Sequence, residues 1–229
     1  TDRWRELARF ALPFVPAGLA SMCLQVAARP IMQALAGPAA TGVYQVNHKL
    51  GIFMMLVVGM FDQAWRPFLI ERAHRPEAPA LFARVFTYFL LGSSAFLLGL
   101  TLFIPDLVAI RVLGLTVIHP DYWEGLGIVP WVLAAYLFNG VYVNFMAQVT
   151  IAKRTDLLVW ATGLGAAVNV AANFALIPVW GMAGAAAASL LAYAVMALTL
   201  FLLGRKLYPV PYEWDRLARL ACAFAACSG

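Results

Sequence analysis

Residues 157–203 read LLVWATGLGAAVNVAANFALIPVWGMAGAAAASLLAYAVMALTLFLL, without a single Asp, Glu, Lys or Arg. A helix that is apolar on every side must be buried all round, and no water-soluble packing hides a run of this length. A membrane span needs about 20 predominantly apolar residues. The stretch therefore reads as two spans, Leu157–Ile177 and Gly184–Leu203, with Pro178 to Gly181 as the turn between them.

The same reading extends outward over the chain. Further apolar runs predict spans at Phe10–Ala28, Ala39–Gln63, Phe82–Ile104 and Gly127–Ile151. A seventh starts near Leu217 and reaches only Gly229, 13 residues on. That is short of the ~20 a span needs, and the chain opens on Thr1 rather than Met. The expectation is a fragment of a longer protein. Of the 229 residues, 63% are hydrophobic and 12% charged, against about 25% charged in soluble domains. The fold class expected is all-α: a polytopic transmembrane bundle of six complete spans and the start of a seventh, with residues 1–229 forming one bundle.

Charge orders the loops. Thirteen of the 16 basic residues flank alternate span ends: Arg3, Arg5 and Arg9; Arg66, Arg72, Arg75 and Arg84; Lys153 and Arg154; Arg205, Lys206, Arg216 and Arg219. The opposite loops hold only Arg111, beside Asp106, Asp121 and Glu124. Cytoplasmic loops concentrate Lys and Arg, so residue 1 is placed in the cytoplasm. The net charge of +5 is thus a membrane signature, and no nucleic-acid partner is expected. Trp123, Trp131, Tyr136, Tyr142, Trp160 and Trp180 suit interfacial belts. Cys23, Cys222 and Cys227 lie in apolar segments and read as small buried hydrophobes. A hinge-like bend is expected from Pro13 and Pro16 in the first span.

Two cations remain, Arg29 at the end of the first span and Lys49 inside the second. A charge at membrane depth costs at least ~2.5 kcal/mol. One reading makes them the wall of a wet cationic cavity. The other has Arg29 snorkelling to the outer headgroups and Lys49 paired with a carboxylate from elsewhere. Helical spacing puts Tyr44, His48, Gly51, Met55 and Asp62 on one face, and Gln25 with Arg29 on another. His48 reads as a hydrogen-bonded packing residue, and Asp62 as the i,i+4 partner of Arg66. The amide pairs Asn144/Gln148 and Asn169/Asn173 suit helix–helix contact, as do Thr162, Ala166 and the run Gly181–Ser189. The sequence has no Ser/His/Asp set, phosphate loop, HExxH or CxxC. Neither enzyme activity nor a cofactor or metal is expected.

An ordered series of motifs carries a resemblance. Leu12-Pro13-Phe14-Val15-Pro16-Ala17 is followed by Gly42-Val43-Tyr44-Gln45-Val46-Asn47-His48-Lys49-Leu50-Gly51 and Ala64-Trp65-Arg66-Pro67-Phe68. Then come Tyr122-Trp123-Glu124-Gly125, Asn139-Gly140-Val141-Tyr142, Lys153-Arg154-Thr155, Asn169-Val170-Ala171-Ala172-Asn173 and Ile177-Pro178-Val179-Trp180-Gly181. The order and spacing resemble the C-terminal half of polysaccharide biosynthesis (O-antigen and capsule) flippases, of the multidrug/oligosaccharidyl-lipid/polysaccharide exporter superfamily. Where that family often has Asp-Arg, this chain has Ala28-Arg29.

The resemblance implies a two-bundle transporter of the bacterial cytoplasmic membrane whose N-terminal half is absent here. It implies an oligosaccharide on a polyprenyl diphosphate as substrate, moved from the inner to the outer leaflet, with a coupling ion left open. The expected substrate-binding residues are Lys49, Arg29, His48, Gln25, Tyr44, Asn169 and Asn173. A related drug/cation antiporter would instead want carboxylates in the cavity, and a membrane glycosyltransferase or polymerase would want a large catalytic loop. The chain by itself is expected not to transport, since half a cavity would turn Lys49 and the Asn169/Asn173 face toward lipid. The charge asymmetry makes a direct prediction. In a cysteine-free background, Glu77→Cys should resist an impermeant thiol reagent in intact cells, and Thr116→Cys should react. The reverse labelling pattern overturns the topology.

Overall fold

The computed structural model describes residues 14–112, 115–116, 118–213, 215–216 and 219. The expected seventh span, the basic flank Arg3–Arg9, Pro13, Cys222 and Cys227 lie outside the described residues, apart from Arg219. The elements in order are α1 (Phe14–Val26), α2 (Ala28–Lys49), α3 (Ile52–Arg72) and α4 (Ala78–Ala109). The short strands β1 (Arg111–Val112) and β2 (Leu115–Thr116) follow, then a 3-10 helix (Pro120–Ile128), α5 (Val129–Ile151) and α6 (Asp156–Gly204). The strands pair antiparallel, Arg111 opposite Thr116, as a two-residue ladder. The fold is all-α in its mass. Four segments are long and apolar enough to cross a membrane: Ile52–Arg72, Ala78–Ala109, Pro120–Ile151 and Asp156–Gly204.

The last of these is folded double. Gly181 interrupts α6 with φ 54° and ψ −126°, a conformation open to glycine and strained for other residues. On either side the limbs run antiparallel and in close contact. A Cβ on Gly184 would overlap the Leu176 carbonyl, and one on Gly165 would overlap the Met196 side chain. Residues eight apart in a straight helix are about 12 Å apart, so the Leu176–Gly184 contact requires the reversal. The expected turn at Pro178 to Gly181 is thus where the chain turns. The small residues named for close approach are buried there: Gly184, Ala185, Ala186, Ala188 and Ser189 on one limb, Thr162, Ala166, Asn169 and Asn173 on the other.

A second reversal lies in α2. Gly37 has φ 84° and ψ 172°, again glycine territory, and Pro38 follows it. Arg29 and His48 then come close enough to act on each other electrostatically, although nineteen residues of straight helix would hold them about 28 Å apart. This corrects the first span. Helix does not stop at Ala28: α1 passes through Ala27, itself helical at φ −60°, ψ −33°, into α2 and on to the Gly37 turn. The break at Ala27 has a local cause, since Pro30 has no N–H to offer the Val26 carbonyl.

The second expected span also changes. Leu50 and Gly51 form a tight 3-10 turn, their N–H groups donating to the Asn47 and His48 carbonyls at 3.1 and 3.0 Å. Helix resumes as α3 and runs to Arg72, past the expected end at Gln63. Gly51 is needed at the turn because Val132 and Tyr136 of α5 pack where a Cβ would stand. Pro105, expected in a loop, stays inside α4.

Helix α5 is the centre of the bundle, packed against α3, α4 and α6. Its buried residues cover every side of the helix, Val129, Val132, Leu133, Leu137, Val141, Phe145 and Val149 among them. That all-round burial is why its sequence has no polar face. Trp65, Phe82, Phe86, Phe89 and Phe145 form an aromatic core toward the basic ends of α3, α4 and α5. The residues beyond α6 return over that end: Tyr212 packs against Phe86, Phe145 and Phe201, and the Tyr208 hydroxyl donates to the Ala73 carbonyl at 3.3 Å. Trp160 and Trp180 stand exposed at the two ends of the first limb of α6, as belts require. Cys23 is exposed, not buried, because it lies on the side of α1 turned away from the hairpin.

The two positive-φ glycines should be the sensitive points. Gly37→Ala and Gly181→Ala should each cost about 1–3 kcal/mol. Gly163→Ala, helical with open space at its Cβ, should be neutral or stabilising by up to about 1 kcal/mol. Thermal unfolding of detergent-purified protein, followed by tryptophan fluorescence, ranks them; equal melting temperatures for all three variants would refute the assignment.

Candidate functional site

The Gly37 reversal assembles a polar seam inside the bundle. It brings Arg29, exposed on the α1–α2 limb, within electrostatic range of Tyr44 and His48 on the returning limb and of Tyr136 of α5. The rings form a ladder. Tyr44 and His48 have centroids 5.3 Å apart, His48 and Tyr136 meet edge to face at 6.1 Å, and Tyr136 and Tyr193 follow at 6.3 Å. These spacings fall in the range where ring quadrupoles attract. Ser189 of α6 sits by the Tyr44 hydroxyl. The ladder links the α2 limb, the central helix and the hairpin.

Of the expected site residues, Arg29, Tyr44 and His48 come together. Tyr44 is 2% exposed, so it supports the seam from beneath, while His48 is half-buried. Lys49 and Gln25 are exposed, as is Arg29. Neither Arg29 nor Lys49 forms an ion pair among the described residues. The single-face expectation is corrected in part: Tyr44, His48 and Gly51 do point toward α5, but Met55 is exposed. The 3-10 turn at Leu50–Gly51 advances three residues per turn and rotates the face away.

Asn169 and Asn173 do not join this seam as an open wall. Both are fully buried, and Asn173 Nδ2 donates to the Asn169 carbonyl at 2.8 Å and to its Oδ1 at 3.0 Å. The expectation that this face would look toward lipid is therefore overturned, because the hairpin turns it inward. Tyr136 and Tyr142, expected at the interfaces, are half-buried in the bundle. The Asp62–Arg66 pair is present, with Arg66 Nε donating to Oδ1 at 2.8 Å.

Some structural polar groups carried little signal in sequence. Asn47 is fully buried and its Nδ2 donates to the carbonyls of Val43, at 2.9 Å, and Tyr122, at 2.8 Å. It fixes the 3-10 helix onto α2, where Gly125 leaves room for the amide. Its place in an Asn-His-Lys run was visible, but the partner 75 residues on was not. Gln148 Nε2 donates to the Tyr212 hydroxyl at 2.8 Å, and Asn144 to the Gly140 carbonyl. These two amides bond away from each other, which their i,i+4 spacing did not tell.

Outside the spans, Arg154 and Asp156 form a two-bond ion pair at 3.0 Å. The Arg154 guanidinium holds the Asp156 carboxyl below its ordinary value. Among the described residues no three His, Cys, Asp or Glu side chains gather closely enough to hold a metal ion. No family model, curated protein or solved structure matches this chain.

Asn47→Ala removes both bonds of a fully buried amide and leaves the partly buried Tyr122 carbonyl without that donor. An unmade buried hydrogen bond costs about 1–3 kcal/mol. The variant should melt lower and become cleavable by protease near residues 118–128, while Gln45→Ala, half-buried on the same limb, should not. An Asn47→Ala protein with unchanged melting and protease resistance would remove Asn47 from this role.

Proposed function

We propose that this chain is part of a transporter that flips a lipid-linked oligosaccharide, carried on a polyprenyl diphosphate, from the inner to the outer leaflet of a bacterial cytoplasmic membrane. The observation that carries the reading is the pair of exposed cations, Arg29 and Lys49, on helices with apolar neighbours. A diphosphate crossing hydrocarbon needs compensating positive charge, and an unpaired guanidinium or ammonium supplies charge-assisted hydrogen bonds. The His48 and Tyr136 rings meet edge to face nearby, and their polar edges can meet sugar hydroxyls.

Divided at the reversals at Gly37 and Gly181, the helices form six segments, residues 14–36, 38–72, 78–109, 120–151, 156–180 and 182–204, a number that supports six crossings. With the Arg-rich ends inside, that count agrees with a cytoplasmic residue 1. The Lys49 surface then looks toward a second bundle, the other half of the transporter, across a watery cavity. The motif series and this count together support membership of the polysaccharide flippase family. A cation antiporter would want a carboxylate on that surface, and Asp62 lies thirteen residues on from Lys49, toward the basic end of α3.

Lys49 lies eleven residues from the Gly37–Pro38 turn, about 16 Å along a helix, which is near the middle of a hydrocarbon layer of about 30 Å. Arg29 lies eight residues before the turn, about 12 Å along a helix, deeper than easy snorkelling allows. In cells depending on the full-length protein, Arg29→Ala and Lys49→Ala should each lower surface polysaccharide about tenfold or more at normal membrane levels. Lys49→Arg should keep part of the activity. Normal export in the double alanine variant, or loss of the protein itself, would defeat the substrate role.

A further inference from the structure

At the basic end of the bundle a cleft of about 150 Å3 runs between α3 and α5. Its apolar lining includes Val143 and Met146, and its polar side chains are Asp62, Arg66, Thr150 and the indole of Trp65. The geometry points to a phospholipid site here, for a headgroup that carries a phosphate and a primary ammonium together.

Asp62 and Arg66 share one hydrogen bond, Arg66 Nε to Asp62 Oδ1 at 2.8 Å. That bond leaves the Asp62 Oδ2 and both Arg66 Nη groups to a ligand. The side chains are 22% and 59% exposed, so a headgroup can reach them. A neutral pair of this kind matches a zwitterion: phosphate oxygens accept from the guanidinium, and the ammonium donates to the carboxylate. The Thr150 hydroxyl donates to the Met146 carbonyl at 2.8 Å, and its lone pairs can accept a second ammonium proton. The Trp65 ring, 5% exposed, adds to the wall of the cleft. The apolar lining then takes the first part of an acyl chain.

The charge pattern also sets the selectivity. An anionic headgroup without an ammonium meets the Asp62 carboxylate and is repelled. A quaternary ammonium has no N–H to donate to that carboxylate or to Thr150. Phosphatidylethanolamine meets both requirements, and the cytoplasmic placement of this end makes the inner leaflet its source. The site is separate from the Arg29–Lys49 surface, so it stands or falls independently of what the chain transports.

The test uses the whole protein reconstituted in vesicles of equal phosphatidylethanolamine, phosphatidylcholine and phosphatidylglycerol, then re-extracted in mild detergent. Mass spectrometry counts the lipids retained per protein. Phosphatidylethanolamine should be enriched about tenfold over phosphatidylcholine, the ratio expected for one charge-assisted hydrogen bond. Asp62→Asn should remove that preference, and Arg66→Gln should lower retention of every phospholipid. Met146→Trp, which fills the cleft and leaves the ion pair in place, should abolish the enrichment at unchanged melting temperature. Equal retention of phosphatidylethanolamine and phosphatidylcholine by the wild type overturns the proposal. So does phosphatidylglycerol retained above both, or enrichment that survives Met146→Trp.

Discussion

The limbs of α6 meet backbone against backbone at Gly184 and Leu176, and much of the bundle is arranged around that contact. In hydrocarbon, helices gain nothing from hiding apolar surface from one another, since lipid tails are just as apolar. Association must come from close packing and from hydrogen bonds. The alanine-rich limb Met182–Gly204 allows the approach, and Gly181 allows the turn. Once the hairpin forms, Ala185 and Ala186 present a smooth surface on which Ala28, Met32 and Tyr44 settle. The α2 reversal is thereby docked.

The polar groups follow a consistent division. Thr41, Thr87, Thr162, Thr199 and Ser189 each return a hydroxyl to the carbonyl four residues earlier, which satisfies the group without any outside partner. Asn47 and Gln148 reach across elements instead, one near each end of α5. Asn47 fastens the 3-10 helix, and Gln148 fastens the returning segment through Tyr212. The central helix is thus fixed at its ends by amides.

That arrangement has a mechanical consequence for the Arg29 seam. The seam sits on the shorter reversal, at Gly37, and its rings bridge three elements whose contacts are otherwise small or aromatic. Ring contacts at 5.3 to 6.3 Å tolerate sliding better than a buried ion pair does.

The sequence by itself determined the helical membrane character, because 63% apolar residues in long uncharged runs leave no soluble alternative. It determined the turn at Pro178 to Gly181 and the small-residue packing that follows, since glycine and alanine act there through their own size. It also determined the Asp62–Arg66 pair, which is a local matter of four residues. Tertiary structure decided where the first pass ends. Apolar content falls after Ala28, but helix continues to Gly37 because Ala28 and Met32 are buried against the hairpin. Tertiary structure likewise decided that Asn169 and Asn173 face inward and that Tyr136 joins His48 instead of a headgroup. Those outcomes depend on distant partners, with Tyr136 88 residues from His48 and Ala185 157 from Ala28, and helical periodicity records which residues share a face but not what that face meets.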